Sequence, residues 1–278
     1  MIAHESRTTA QSLVVLVDFD GTVARSDISD DLMRRFADPE AWAPLEAAYL
    51  RGDIGSRTLL TRQAALLPGG ADLASVAEEA ELDPHFAPFV AFLREQGIVI
   101  EVVSDGFGFF VKPALERIGL GAIPVFTATT SFDGDAVQIA FPMGNPRCRV
   151  CGTCKRARIL AHQSVGRFVV FVGDGFSDLY AAARADLVFA KDHLAALCVD
   201  RGWPFRDWRT FADIQRALAA LITSPDAAPS QRPFVCGPEA WPEGTLEPIW
   251  DRPPAPRAAV TARPRRIGSG RVAGRRSA

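Results

Sequence analysis

Apolar runs separated by polar turns set the pattern of this chain. Three of the runs, at residues 13–17, 98–103 and 167–172, consist mostly of Val, Ile, Leu and Phe. A continuous apolar run of this length is typical of a strand that is buried on both faces of a parallel sheet. We therefore predict three central strands, with a shorter fourth strand at 187–190.

Helical spacing of apolar residues fills the segments between these strands. Four short helices are predicted in succession after the first strand, at residues 30–36, 40–50, 57–67 and 71–82. Further helices are predicted at residues 86–96, 114–118, 155–163, 178–184, 192–200 and 210–222. Because helices and strands otherwise alternate, the four consecutive helices indicate an insertion into an α/β domain.

Two segments depart from this alternation. Alternating residues on either side of Asp133-Gly134 predict a β-hairpin within residues 125–141, since Asp-Gly is a preferred hairpin turn. From residue 224 onward Pro, Ala and Arg dominate and no periodicity remains. We therefore expect a tail at residues 224–278 that is disordered at least from residue 252.

Charge is distributed unevenly along the chain. The formal net charge is −2, but eight of the 31 basic residues lie in residues 252–278, where no acidic residue occurs. The remaining body is therefore acidic, which argues against a nucleic-acid-binding protein. The Arg-rich tail leaves contact with nucleic acid or acidic lipid open, although a solvated tail is the simpler interpretation.

The sequence shows neither a membrane pattern nor an export pattern. No stretch approaches the ~20 apolar residues that a membrane helix needs. The N-terminal apolar run enters Asp-Phe-Asp rather than a cleavage site. Five cysteines without an export signal fit a reducing compartment, so we expect a cytoplasmic protein. The oligomeric state is left open.

Polar residues follow each of the three long apolar runs. Asp18 and Asp20 follow the first, Ser104 follows the second, and Asp174 follows the third. The carboxyl ends of parallel strands meet at one edge of a sheet, which is where open α/β sheets bind ligands. Clustered carboxylates repel one another unless a cation separates them, and Mg²⁺ prefers a few carboxylate oxygens together with water and substrate phosphate.

Lys155 adds a positive charge to this set. It stands at a predicted helix start and is one of three lysines, beside Lys112 and Lys191, in a chain that otherwise uses Arg. Lysine and the backbone N–H groups at helix starts suit phosphate oxygens. Carboxylates, a hydroxyl and an ammonium group at one sheet edge therefore predict a phosphoryl-transfer site.

Four motifs occur in the order found in the haloacid-dehalogenase-like phosphatases, and the chain resembles that family over residues 12–222. The motifs are Asp18-Phe-Asp-Gly-Thr22, Ser104, Lys155 and Gly173-Asp-Gly-Phe-Ser-Asp178. The resemblance implies a phosphoric monoester hydrolase with a three-layer, Rossmann-like parallel sheet. The core would comprise residues 12–26 and 84–223, with a helical cap inserted at residues 27–83.

The resemblance also implies roles for single carboxylates. Asp18 would be the nucleophile that forms an aspartyl-phosphate. Asp20 would be the general acid for the leaving oxygen and then the base for water. Asp18, the backbone carbonyl of Asp20, and Asp174 would bind Mg²⁺, and Asp178 would support the metal site from behind.

Further implied roles concern the phosphate and the substrate. Ser104 and Lys155 would hold the transferring phosphoryl group, and Asp105 and Gly106 would offer backbone N–H groups. Asp27 lies nine residues after the nucleophile, where phosphoserine phosphatases have a Glu that contacts the substrate amine. Asp27 is therefore a candidate for substrate binding.

The implied substrate is a small phosphomonoester. The insertion resembles the cap of the phosphoserine-phosphatase-like branch, but Ser104-Asp105-Gly106 departs from the Ser-Gly-Gly usual there. A nearer resemblance is to the methionine-salvage phosphatases acting on 2-hydroxy-3-keto-5-methylthiopentenyl-1-phosphate. They share a Ser-x-Gly-x-x-Phe-Phe-Val run, here residues 104–111, a hairpin, and a Cys-rich loop before the motif lysine. A phosphoserine phosphatase, a phosphotransferase or phosphomutase, and a non-enzymatic binding module remain as alternatives.

The loop before Lys155 has two interpretations. Cys148, Cys151 and Cys154 offer three thiolates for a metal, but no fourth ligand stands at a standard spacing. A packed or redox-sensitive loop is therefore preferred, in which Lys155 and the helix start are expected to lower the pKa of Cys154. In the last motif, Ser177 is interpreted as a helix N-cap.

Overall fold

The computed structural model of the chain describes residues 13–69, 72–134 and 136–223. The strands in these residues are β1 (Leu13–Val17), β2 (Val99–Val103), β3 (Val125–Phe126), β4 (Thr129–Asp133), β5 (Ala136–Ala140), β6 (Phe168–Gly173), β7 (Leu187–Ala190) and β8 (Arg206–Asp207). Six of them form a parallel sheet in the order β3-β2-β1-β6-β7-β8, and β4 pairs with β5 in a separate antiparallel hairpin. The predicted α/β sheet with a hairpin excursion is confirmed.

Helices cover both faces of the sheet. They are α1 (Ile28–Phe36), α2 (Pro39–Arg51), α3 (Ser56–Ala64), α4 (Ser75–Glu79), α5 (Phe86–Glu95), α6 (Gly108–Arg117), α7 (Lys155–Gln163), α8 (Leu179–Ala182), α9 (Asp192–Arg201) and α10 (Phe211–Thr223). As predicted, α1 to α4 follow one another between β1 and β2. Within the described ranges, no helix has the length and apolar character needed to cross a membrane.

β1 lies between β2 and β6 at the centre of the sheet, and all five of its side chains are buried. Its first, third and fifth side chains pack into a cluster with α5, α6 and α10, whereas the second and fourth pack with α7, α8 and α9. Val17 pairs with Val102 of β2 and with Val172 of β6. The three strands therefore end level, and the residues that follow them meet at one edge.

The fourth predicted helix, at residues 71–82, is shorter than expected. α4 has five residues, and the chain then runs extended because its backbone groups pair with the segment that follows β1. The Arg25 N–H donates to the Glu81 carbonyl at 2.8 Å, and the Asp83 N–H donates to the Val23 carbonyl at 2.9 Å. The segments that enter and leave the helical insertion therefore lie side by side.

Smaller differences from prediction concern short elements and one helix start. β3 and β8 have two residues each, too few for a periodic signal, and are held by parallel pairing to β2 and β7. The helix predicted at residues 114–118 begins at Gly108 and has Pro113 in its interior. The predictions for residues 224–278 fall outside the described residues.

Candidate active site

Asp18 lies directly after β1, at the middle of the sheet edge. Its backbone N–H donates to the Val172 carbonyl at 2.9 Å, which extends the pairing with β6 by one residue. Its side chain is buried, and its Oδ1 accepts a hydrogen bond from Lys155 Nζ at 2.6 Å. A buried carboxylate needs such a cationic partner to remain ionised.

Lys155 is the first residue of α7 and is almost fully buried. Its ammonium group donates to Asp18 Oδ1 and Asp178 Oδ1, each at 2.6 Å, and to Ser177 Oγ at 3.0 Å. These contacts use all three of its protons. Burial alone would lower the pKa of Lys155, but the charges of Asp178 and Asp18 outweigh burial and raise it. The lysine is therefore positively charged.

Asp178 is fully buried and anchors both Lys155 and the loop after β6. Its Oδ2 accepts hydrogen bonds from the backbone N–H groups of Asp174 and Gly175, each at 3.0 Å. The prediction that Ser177 caps a helix is wrong. Ser177 lies inside a 3₁₀ turn at Phe176–Asp178, and its hydroxyl accepts a hydrogen bond from the Lys155 ammonium group instead.

Asp174 completes a group of three carboxylates. One oxygen each of Asp18, Asp174 and Asp178 lies within 4.8 Å of the other two. Burial raises the pKa of Asp174 to about 7, and the charge of Asp178 adds to this effect. Burial and Asp178 also raise the pKa of Asp18. Lys155 alone therefore does not balance the negative charge of the group.

A divalent cation fits this excess of negative charge. Both oxygens of Asp178 already accept hydrogen bonds, so Asp18 and Asp174 are the better placed ligands. Asp174 Oδ1 accepts a hydrogen bond from Thr22 Oγ1 at 2.6 Å, which orients the carboxylate. This role of Thr22, the last residue of the first motif, is not predicted from the sequence. Carboxylate oxygens are hard donors of the kind that Mg²⁺ binds.

The close approach of the first and last motifs requires glycine at position 21. Gly21 has a φ of +67°, and a Cβ atom there would lie 2.2 Å from Asp174 Oδ2. A side chain at this position would strain the backbone and displace the Asp174 carboxylate. The glycine thus allows Asp174 to reach the end of β1.

Asp20 is half-buried beside the start of α1. Its Oδ1 accepts a hydrogen bond from the Ile28 backbone N–H at 3.0 Å. Burial raises the pKa of Asp20 well above its ordinary value, and the charges of Asp27 and Asp18 add to this effect. A carboxyl group in this setting keeps its proton to a higher pH than usual, which suits a proton donor.

The loop after β2 brings Ser104 and Gly106 next to Asp20. Ser104 is fully buried, and its Oγ accepts a hydrogen bond from the Gly106 N–H at 3.2 Å. A Cβ atom at Gly106 would lie 2.4 Å from Asp20 Oδ2 and 3.3 Å from Ser104 Oγ. The structure therefore brings two of the predicted phosphate-binding residues together with the predicted acid.

Asp105 makes side-chain contacts that the sequence does not indicate. Its carboxylate accepts a hydrogen bond from Ser56 Oγ in α3 and another from the Thr153 N–H at 2.7 Å. Ser56 Oγ also accepts a hydrogen bond from the Gly152 N–H at 3.3 Å. Asp105 therefore joins the loop after β2, the start of α3 and the loop that leads into Lys155.

A cavity of about 750 Å³ opens over these groups. Asp18, Asp20 and Asp174 lie in its floor, and side chains of α1, α2 and α3 form its roof. Roof residues from the last two helices include Trp42, Glu46, Tyr49, Leu59, Leu60 and Gln63. The cavity therefore has room for a small organic group beside a phosphate.

Asp27 lies in the wall of this cavity and also caps α1. Its Oδ1 accepts a hydrogen bond from the Asp30 backbone N–H at 2.9 Å. Enclosure in the wall raises the pKa of Asp27 to about 6, and the charge of Asp30 contributes. Asp27 thus combines a helix-capping bond with the predicted position near a substrate.

One prediction for the cysteine-rich loop is wrong. Burial raises the pKa of Cys154, so the expectation of a lowered pKa is wrong. Two carboxylates already neutralise the Lys155 ammonium, which leaves it little effect on the thiol. In the described part of the chain, Cys148 and Cys151 do not form a metal-binding group with Cys154.

Comparison with known proteins assigns the motifs to a family. The model of the haloacid dehalogenase-like hydrolase family matches residues 15–183. The chain is 32% identical over 214 residues to the 2-hydroxy-3-keto-5-methylthiopentenyl-1-phosphate phosphatase of Brevibacillus brevis, an alignment covering 75% of this chain and 96% of that protein. It is 35% identical over 214 residues to the bifunctional enzyme MtnB/MtnX of Bacillus licheniformis. That alignment covers 74% of this chain and 49% of the relative, so the chain spans about half its length.

Solved structures share the fold. A phosphoserine phosphatase determined as a phospho-aspartyl intermediate analogue aligns with a TM-score of 0.59 at 18% identity, covering 74% of this chain and 98% of that chain. A substrate-bound phosphoserine phosphatase aligns over the same shares with a TM-score of 0.56 at 19% identity. At these identities the likeness shows the fold alone. Together with the family match, the relatives confirm the predicted enzyme class: the chain belongs to the haloacid dehalogenase-like hydrolase family and is a phosphatase of that family.

Proposed function

We propose that this chain is a Mg²⁺-dependent phosphomonoesterase that hydrolyses a small phosphorylated metabolite through an aspartyl-phosphate on Asp18. The observation that carries the proposal is the buried Asp18–Lys155 ion pair of 2.6 Å at the floor of the cavity. The ion pair fixes Oδ1 of Asp18. Because Asp18 lies in the cavity floor, its second carboxylate oxygen can contact a substrate. A held, desolvated carboxylate is a suitable nucleophile for phosphorus.

Two steps complete the proposed reaction. An Asp18 oxygen attacks the phosphorus, the ester bond breaks, and the leaving oxygen takes a proton from Asp20. The Asp20 carboxylate then removes a proton from water, which attacks the phosphorus and releases inorganic phosphate from Asp18. The raised pKa of Asp20 supports its role in the first step.

Phosphate oxygens would be held by polar groups that form hydrogen bonds with one another in this structure. Ser104 and Gly106 share a hydrogen bond, and Lys155 directs its three protons to its protein neighbours. We propose that a phosphoryl group takes over some of these donors, together with the Asp105 backbone N–H. Asp178 keeps Lys155 in place during this exchange.

Mg²⁺ would be held by the carboxylates of Asp18 and Asp174 and by the backbone carbonyl of Asp20. When bound, the ion neutralises negative charge on the carboxylates and the phosphoryl oxygens. Asp178 supports the site through its bonds to the Asp174 and Gly175 N–H groups. Thr22 orients Asp174 through its hydroxyl.

Residues 27–83 are proposed to act as a cap over a core of residues 12–26 and 84–223. α1, α2 and α3 form the roof of the cavity. The chain passes from the core into the cap near Ala24 and returns to the core near Leu82, and these two segments are paired. A roofed cavity favours small substrates over macromolecules. The relatives' names make the methionine-salvage enol-phosphate the leading candidate.

A panel of phosphorylated metabolites tests this proposal, with phosphate release measured as kcat/KM. We expect the enol-phosphate 2-hydroxy-3-keto-5-methylthiopentenyl-1-phosphate to exceed phosphoserine. EDTA should abolish turnover, and added Mg²⁺ should restore it. Activity that survives EDTA would contradict the proposed Mg²⁺ dependence. Faster hydrolysis of phosphoserine would contradict the proposed substrate. Transfer of the phosphoryl group to an added alcohol in place of water would contradict the assignment as a hydrolase.

A further inference from the structure

The roof of the cavity contains polar atoms without partners. Ser29 Oγ, Trp42 Nε1 and Gln63 Oε1 are buried, and none has a hydrogen-bond partner in the described part of the protein. All three residues line the cavity above Asp18. Gln63 is 1% exposed and Ser29 is 9% exposed, so water does not readily compensate them. Buried polar atoms are costly unless they are paired, so these atoms point to a ligand that pairs them.

The charges of the wall limit what this ligand is. Arg34 is paired with Asp30 at 3.0 Å and with Asp31 at 3.1 Å, and Arg25 is paired with Glu81 at 3.5 Å. The two guanidinium groups that line the cavity are therefore engaged with protein carboxylates. These neighbouring carboxylates weaken the attraction of both arginines for a carboxylate on the ligand.

Acidic groups in the same wall strengthen this limit. Asp27, Asp30 and Glu46 line the cavity near the start of α1 and the middle of α2. Burial raises the pKa of Glu46 to about 7, and the charges of Asp30 and Asp27 add to this effect. The wall is therefore acidic, and its carboxyl groups disfavour a second anionic group on the substrate.

Apolar residues stand beside the unpartnered atoms. Leu59 and Leu60 are buried in α3, on the same short helix as Gln63, and both line the cavity. Trp42 adds an aromatic surface from α2. Away from Glu46, the roof thus combines uncharged hydrogen-bonding groups with an apolar surface, a combination suited to an uncharged chain that carries hydroxyl or carbonyl oxygens.

We infer that Gln63 and Trp42 are specificity residues that select an uncharged, oxygen-bearing carbon chain as the leaving group of the phosphomonoester. The Gln63 amide oxygen accepts from a substrate hydroxyl, and the Trp42 indole N–H donates to a substrate hydroxyl or carbonyl oxygen. Ser29 lies beside Gly106, so its hydroxyl is placed to form a hydrogen bond with the part of the substrate's carbon chain nearest the phosphate. This inference rests on the proposed phosphomonoesterase function.

A matched set of monophosphates tests the inference. The set contains methyl phosphate, plain pentyl phosphate, a pentyl phosphate with hydroxyl groups along the chain, and pentyl phosphates ending in a carboxylate or in an ammonium group. We expect the wild type to prefer the hydroxylated chain over the plain one by at least about tenfold in kcat/KM. The carboxylate chain should be the poorest pentyl substrate.

Two variants each remove one hydrogen-bonding group, and Gln63→Leu also keeps the approximate size of the side chain. Gln63→Leu loses the amide and Trp42→Phe loses the indole N–H, and each should reduce the preference for the hydroxylated chain by about tenfold. The loss on methyl phosphate, which offers no chain to the roof, should be smaller than the loss on the hydroxylated chain, and the circular dichroism spectra of the variants check that they fold. Gln96→Leu, on an exposed residue after α5, is the matched control and should change nothing.

The outcomes separate the inference from the function on which it rests. Equal wild-type rates on hydroxylated and plain chains, a preference for the ammonium chain, or an unchanged preference in both variants overturns the inference. Methyl phosphate hydrolysis that depends on Asp18 would then leave the proposed function standing. If the wild type hydrolyses none of the compounds in the set, both the inference and the proposed function are overturned.

Discussion

Lys155 Nζ and Asp18 Oδ1 are 2.6 Å apart, although 137 residues separate them in the chain. The contact joins the start of α7 to the end of β1, and both side chains are buried. Asp178 holds the same ammonium group from the other side at 2.6 Å. The nucleophile of the proposed reaction is therefore oriented by an ion-pair network that spans the first, third and fourth motifs.

Replacing Lys155 by Met should disable this network. The side chain keeps a similar length, but Asp18 and Asp178 lose their shared cation. We expect kcat/KM to fall by roughly 10²–10³-fold, and the free energy of unfolding to fall by about 3–5 kcal/mol. Hydrolysis of an aryl phosphate and urea unfolding measure the two effects.

Lys112→Met is the matched control for this change. Its side chain is 65% exposed, and its nearest carboxylate, Glu116, is 3.9 Å away. We expect a stability change within about 0.5 kcal/mol and unaltered activity. Equal kinetics in the Lys155 and Lys112 variants would contradict the proposed role of the buried pair.

Asp105 offers a second test, because it ties α3 to the loop before Lys155. Asp105→Ala removes the acceptor for Ser56 and Thr153, whereas Asp105→Asn retains an oxygen for the Thr153 N–H. We expect the Ala variant to lose about 1–3 kcal/mol of stability and roughly tenfold or more in kcat/KM, with a smaller loss in the Asn variant.

Asp200→Ala, on an exposed residue of α9, provides the comparison for Asp105. It should resemble the wild type in urea unfolding and in turnover. Identical values for Asp105→Ala and Asp200→Ala would mean that the bonds of Asp105 do not position the site.

Glu46 predicts a pH dependence of stability. Burial raises its pKa to about 7 in the folded protein, from an ordinary value of 4.5. The folded protein thus keeps a proton that the unfolded chain has lost, so the stabilising contribution present at low pH disappears as the pH rises toward 7. Glu46→Gln stays neutral, so its melting temperature should exceed that of the wild type at about pH 8 and approach it at about pH 5.

Glu95→Gln, on an exposed residue at the end of α5, should follow the wild type at both pH values. A constant difference between Glu46→Gln and the wild type across this range would show that Glu46 does not titrate as described. Thermal unfolding in a series of buffers of equal ionic strength makes this measurement.

Much of the fold and the placement of the candidate site follow from the apolar pattern. The runs that become β1, β2 and β6 require burial on both faces, and parallel strands bring their carboxyl ends together. Asp18, Ser104 and Asp174 were therefore predictable neighbours. Lys155 stood out through its helix-start position and the scarcity of lysine.

Other features depend on tertiary contacts that no local pattern encodes. The Asp105 carboxylate bonds to Ser56, 49 residues away, and this partner becomes visible only once α3 is placed. Gln63 looks like any polar residue of a short helix, and its burial in the roof follows from how α2 and α3 pack. The prediction of a lowered pKa for Cys154 is wrong because burial raises this pKa. The adjacent Lys155 has little effect on the thiol, since two carboxylates neutralise its charge.

In the proposed reaction, Asp18 carries the phosphoryl group. Mass spectrometry after acid quenching of Asp20→Asn protein with an aryl phosphate tests it most directly, since this substrate needs little acid assistance but hydrolysis of the intermediate still needs the base. We expect one phosphoryl mass on the peptide that contains Asp18, and none in the Asp18→Asn variant. Turnover by Asp18→Asn, or a phosphoryl group on another residue, would contradict it.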